Sequence, residues 1–296
     1  MSLPIDTIAA LLLAGAIQAP DHARPRMGCG MSPWSGGATR GIGMVGNGWD
    51  GEGQNATTIY FHNEIPHPLQ NAQREQFLDM LQAWANEVQI HFVELPIANA
   101  TRSIDLLWVE GNHCDLDSAE CGQPGCDFSD MPSSFLGHAA YPPGIETICG
   151  GVSQESRAGD IHLNLDATIQ SNPDNAGYSF KLVAAHMIGH ALGLQDNPNP
   201  GDHNVMGPIE WNENFLLISE SDSLQLQAGY AAGVGSVTTL ESLGIWVNSA
   251  WTGSERGTPG SPFDTLHEGV AGLPAHHEGV TIHVQAGLHP GPTTIT

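Results

Sequence analysis

Apolar positions fall at helical spacing in three stretches of the chain and at strand spacing in several shorter ones. Phe77, Leu81 and Trp84, with Val88 beyond, lie three and four residues apart and predict an amphipathic helix over Gln73–Asn86. Phe180–Leu194 reads as a second helix, apolar on one face and ending at Gly193. A third starts at Ser219, where Ser219 and Asp222 have capping spacing, and runs to about Tyr230. The runs Thr57–Phe61, Gln89–Leu95, Ile104–Val109, Leu136–Ala140 and Asp160–Leu165 are β-branched, aromatic or apolar and of strand length. The mixture predicts an α+β fold.

The text changes character after a small, Gly-rich stretch at Ala231–Ser236, which reads as a domain boundary. Beyond it, strand-like Ile245–Val247 and Val280–Val284 flank a Gly-Thr-Pro-Gly-Ser-Pro loop and a short helix over Thr265–Leu273. At the other end, the apolar run Ile8–Ile17 followed by Gln18-Ala19 reads as a signal peptide, despite Asp6 and the lack of a basic leader. It is too short to span a membrane. The expected organisation is a signal peptide over 1–23, a Gly-rich lead-in over 24–56, a main domain over 57–235 and a β-rich segment over 236–296.

Composition narrows the partners. Eight Lys+Arg against 32 Asp+Glu give a net charge of -24, and Lys181 is the only lysine. Such a surface repels nucleic acid and anionic membranes, so neither is an expected partner. Four of the five cysteines (Cys114, Cys121, Cys126 and Cys149; the fifth is Cys29) cluster, which fits two disulfides in an exported protein. Free thiols are the alternative, and the pairing stays open.

The chemistry concentrates in His186–Met206, HMIGHALGLQDNPNPGDHNVM. His186 and His190, four apart, share one helical face and can aim both imidazoles at one zinc ion. Gly193 allows the chain to turn back, and Asp196 follows where a third ligand is needed. His203 is a second candidate for that ligand. Met206-Gly207-Pro208 can close the floor of the site. Two histidines on an apolar helix are ordinarily core residues; the company of Gly193, Asp196 and Met206 favours a metal.

This segment resembles the metzincin consensus HExxHxxGxxH/D followed by a Met-turn, and Val183–Leu194 (VAAHMIGHALGL) most resembles the matrixins, the matrix-metalloprotease-like family. The likeness covers about Thr57–Tyr230. It implies a zincin-like domain, a twisted mixed sheet with three helices, and a catalytic zinc held by His186, His190 and Asp196. It also implies a structural zinc on His113 and Asp115 (His113-Cys114-Asp115), His138 (Leu136-Gly137-His138-Ala139) and His162 (Gly159-Asp160-Ile161-His162). The family's calcium-binding carboxylates after that last strand are replaced by Asn164 and Ala167, which puts calcium in doubt. The implied activity is that of a secreted zinc metalloendopeptidase, hydrolysing peptide bonds with zinc-activated water. The family's general-base Glu, however, is Met187, so hydrolysis is expected to be weakened or lost. The rival reading is a pseudoprotease, a zinc-stabilised peptide-binding module. Val247–Ile295 resembles the opening coil of right-handed parallel β-helix domains of large exported bacterial proteins. A single coil cannot bury its own face, so a truncated β-helix is expected.

Overall fold

The computed structural model describes residues 43–64, 70–98, 100, 102–109, 136–143, 158–171, 177–196, 205–207, 218–273 and 280–285. His113, Asp115, His203, the five cysteines and the 1–23 segment lie outside the described residues.

Strand β1 (Thr57–Glu64) carries the period-two pattern expected of it: Ile59 and Phe61 are fully buried, whereas Thr58 is exposed. It lies between β2 (Ile90–Glu94) and β3 (Ser103–Val109), parallel to both. Next to β3 lies β5 (Ile161–Asn164), also parallel, and β4 (Gly137–Ala139) runs antiparallel along the edge. On the opposite edge β8 (Ser236–Thr238) pairs with β2, giving the order β4-β5-β3-β1-β2-β8. The sheet therefore reaches across residue 235, where composition alone suggests a boundary. Two residues of β6 (Ile169–Gln170) pair with two of β7 (Tyr178–Ser179), and β7 feeds straight into a helix.

Helix α1 (Gln70–Ala85) buries Phe77, Met80, Leu81, Trp84 and Ala85 along one face. Phe77 meets Phe61 of β1 edge-on, with centroids 6.2 Å apart. Helix α2 (Phe180–Ala191) packs behind α1 and against β4. Its environment differs from the expected one-faced helix: every residue but Lys181 is buried. A helix apolar nearly all round belongs inside a core. Lys181 reaches out to Asp79 at 2.9 Å, an exposed pair worth roughly 0–1 kcal/mol.

Helix α3 (Glu220–Leu226) starts with the expected capping box, Ser219 Oγ accepting from Asp222 N–H and the Asp222 carboxylate accepting from Ser219 N–H. After β8 come α4 (Leu240–Leu243), β9 (Ile245–Val247), α5 (Leu266–Ala271) and β10 (Ile282–Val284). Strands β9 and β10 are parallel, and Val247 also bridges Phe263 in parallel. Leu240, Ile245, Val247 and Phe263 form a second small core, against which Ile97, Leu273, Val280 and Ile282 pack. Arg74 joins the two regions. Its Nη2 donates to both oxygens of Glu94, at 3.0 and 2.8 Å, and to Glu241 at 3.0 Å, while Glu94 also accepts from Leu240 N–H.

Candidate metal centre

The end of α2 follows from its sequence. Gly193 sits at φ +104°, a conformation that costs an L side chain dearly. With it the helix closes in a Schellman motif: Gly193 N–H donates to His190 C=O at 2.7 Å and Leu194 N–H to Gly189 C=O at 2.9 Å. The chain then doubles back, and Asp196 returns beside the two histidines.

His186 and His190 are each 1% exposed, with their Nε2 atoms 2.9 Å apart. Asp196 Oδ1 lies 3.3 Å from His186 Nε2 and 3.4 Å from His190 Nε2. His186 Nδ1 is 2.7 Å from Val205 C=O, and His190 Nδ1 is 2.7 Å from Leu194 C=O. Carbonyls only accept, so both Nδ1 atoms carry the proton, and each neutral imidazole turns an Nε2 lone pair inward. Two lone pairs and a carboxylate oxygen then converge with no proton among them. A cation answers that convergence, and backbone carbonyls holding Nδ1–H are the usual outer partners of metal-bound His. Were the protons on Nε2 instead, hydrogen bonds and charge from His186 and His190 would outweigh burial, which pushes the Asp196 carboxyl up, and hold it far below the usual carboxylate range; a cation in the same place acts in the same sense.

Against Gly189, which lies between the two histidines in sequence, sits Met206, 1% exposed. A Cβ on Gly189 would run into Met206 Sδ on one side and come within 3.1 Å of Trp84 on the other. Asp222 ties this floor to α3. Burial raises its carboxyl, opposed by hydrogen bonds with Ser219 and the Val205 backbone. Since Val205 C=O accepts from His186 while its N–H faces Asp222, one residue lies between carboxylate and imidazole. The spacing Ser219-x-x-Asp222 announces the cap; nothing in the sequence announces that second role. Met187, next to His186, is fully buried in the main core.

On the far edge of the sheet, His138 of β4 stands opposite His162 of β5. His138 Nε2 and His162 Nδ1 are 2.9 Å apart, so the structure brings this expected pair together. Asn164 Oδ1 accepts from Asp166 N–H at 3.0 Å, a local turn, and Ala167 is buried. Among the described residues one further group has ligand-like spacing, Glu255, Asp264 and Glu268, which the sequence reading did not single out.

A family model described as Matrixin matches residues 49–231. Matrix metalloproteinase-16 of Homo sapiens is 29% identical over 161 residues, 52% of this chain and 22% of that protein. Karilysin of Tannerella forsythia is 29% identical over 143 residues, 48% of this chain and 26% of the relative. Matrix metalloproteinase-26 of Homo sapiens is 26% identical over 177 residues, 59% of this chain and 58% of the relative. The chain thus spans less than two thirds of each of these relatives. The Matrixin match begins at Trp49, inside the Gly-rich lead-in, and covers more than half of the 296 residues, so the chain belongs to the matrixin family.

Proposed function

We propose that the chain is a secreted zinc-dependent metalloendopeptidase of matrixin type whose hydrolysis is weakened by Met187. The observation that carries the reading is the convergence of His186 Nε2, His190 Nε2 and Asp196 Oδ1 with both Nδ1 atoms committed to backbone carbonyls. In this reading those three residues hold the catalytic zinc and Met206 supports them from below. His113, Asp115, His138 and His162 hold a structural zinc; the His138–His162 approach supports that half of the set. Family membership implies zinc and calcium use in general. The position of Asn164 and Ala167 argues against calcium beside β5. The parallel pairing of β9 with β10 supports reading 236–296 as the opening of a β-helix. Among the described residues no helix is long and apolar enough to cross a membrane.

Zinc, when bound, supplies Lewis acidity toward the peptide carbonyl and lowers the pKa of water. The chain's own residues bind and orient. His186 and His190 present neutral imidazoles of one tautomer, and Asp196 adds a negative charge at the rim, where its side chain is 49% exposed. Proton transfer is the missing part. A thioether at 187 neither takes nor returns a proton, and loss of general acid–base help costs about 10²–10⁴-fold. Met187 is also the feature that favours the second reading, a peptide-binding module that no longer cuts.

The test is peptide hydrolysis by the zinc-loaded protein beside Met187→Glu, each with and without chelator. A chelator-sensitive rate that rises about 10²–10⁴-fold in the variant supports a sound site lacking its base. Two inert proteins that both hold zinc would sink the peptidase reading in favour of the binding module.

A further inference from the structure

We infer that Trp49 and Tyr230 are positioning residues that brace the metal-binding turn and so set the place of Asp196. This rests on the metal-binding reading of the site.

A helix leaves its last four carbonyls without intrahelical donors, and buried ones need partners from elsewhere. The carbonyls from Gly189 to Leu194 can be followed one by one. Gly189 and His190 are served by the Schellman bonds from Leu194 and Gly193. Gly193 C=O accepts from Val45 N–H at 2.7 Å, and Leu194 C=O accepts from His190 Nδ1. The two left over are Ala191 and Leu192, at the point where the chain leaves the helix. Ala191 C=O accepts from the Trp49 indole Nε1–H at 2.9 Å, and Leu192 C=O from the Tyr230 hydroxyl at 3.0 Å.

Both donors come from far along the chain, one from each side of the helix in sequence. Trp49 is 2% exposed and Tyr230 fully buried, so water cannot stand in for either. They also approach each other: Trp49 N–H faces the Tyr230 hydroxyl oxygen. The segment that carries Trp49 runs on against the turn itself. Met44 bridges Leu194 in antiparallel fashion, and Gln195 N–H donates to Gly43 C=O at 3.1 Å, one residue before Asp196. The histidines are placed by α2. Asp196 lies beyond it, on a stretch whose direction depends on these bonds.

The experiment titrates cobalt(II) into chelator-stripped protein and follows the visible absorption that His190→Ala removes. Trp49→Phe and Tyr230→Phe are each compared with wild type while folded, well below their melting temperatures. Tyr230→Phe deletes one oxygen and keeps the ring, so it remains informative if Trp49→Phe folds poorly. Each acts one step further out than a direct outer partner of a ligand, whose loss costs about 10–100-fold, so each is expected to weaken cobalt by about 10-fold at most. The loss should vanish in an Asp196→Ala background, where there is no third ligand left to place. Ile59→Val, which removes a buried methylene from β1, should leave affinity unchanged. Wild-type affinity in both variants, with only a lowered melting temperature, overturns the inference. So does an undiminished loss in the Asp196→Ala background, which would show action through the histidines. A wild-type protein that develops no such absorption overturns the metal reading itself and this inference with it.

Discussion

Between the two histidines Gly189 has no side chain because Met206 and Trp84 occupy the space a Cβ would need. Two effects oppose each other in Gly189→Ala. Removing a glycine from a helix interior stabilises by about 0.5–1 kcal/mol. Forcing an extra carbon into a packed core costs about 1–3 kcal/mol. Met206 is 1% exposed and has little room to yield, so the steric cost wins. The variant is expected to unfold at lower denaturant, by a net of up to about 2.5 kcal/mol. Unchanged or raised stability would mean that the methionine floor is soft. Met187 poses the converse case at the same scale. Its thioether fits an apolar core well, so nothing in its packing disfavours it.

At the scale of elements, the edge strand β8 and the helix after it are fastened to β2 through Glu94. Burial raises the Glu94 carboxyl above its ordinary 4.5, with the Arg74 charge and the Leu240 N–H acting against the shift. A carboxyl raised on folding contributes its full stability below the unfolded value, and that contribution is lost as pH climbs through the folded one. Wild type should therefore lose ground to Glu94→Gln as pH climbs from the ordinary carboxyl value of 4.5 through the raised folded one, as read from paired thermal melts. Melting curves that keep a constant separation over that window would contradict it. The same contact explains why a reading of composition draws a boundary at 231–236 while pairing does not respect it. Small, Gly-rich residues look like a linker, yet Ser236–Thr238 hydrogen-bond to β2. Register with a distant strand is not visible in a three-residue run.

For the molecule as a whole, metal and folding are linked. A ligand held only by the native state stabilises it by about 2.7 kcal/mol at one hundred times its dissociation constant. If both metal sites hold zinc, chelation should lower the melting temperature. The drop should shrink in His190→Ala and again, independently, in His138→Ala, because each removes one site. A chelator effect untouched by His138→Ala would leave the His138–His162 pair without a metal role. With a net charge of -24, self-repulsion opposes compaction, so these melts need fixed ionic strength.

Much of this protein is written in local pattern. The strands β1 to β5, the three principal helices, the Ser219 cap, and the His186–His190–Gly193–Asp196 spacing all follow from periodicity and from residues with one strong conformational use. Such signals span at most a few turns of chain, and physics local to the segment enforces them. Tertiary structure decided the rest. It buried α2 on all sides, because α1 and the sheet enclose it. It recruited residues 43–49 and Tyr230 to close the carbonyls that the helix end leaves open. It set Asp222 beside the Val205 backbone and brought His138 opposite His162. Each of these joins residues far apart in the chain. A hydrogen bond or a strand register of that kind depends on where two segments meet, and no run of neighbouring residues encodes it.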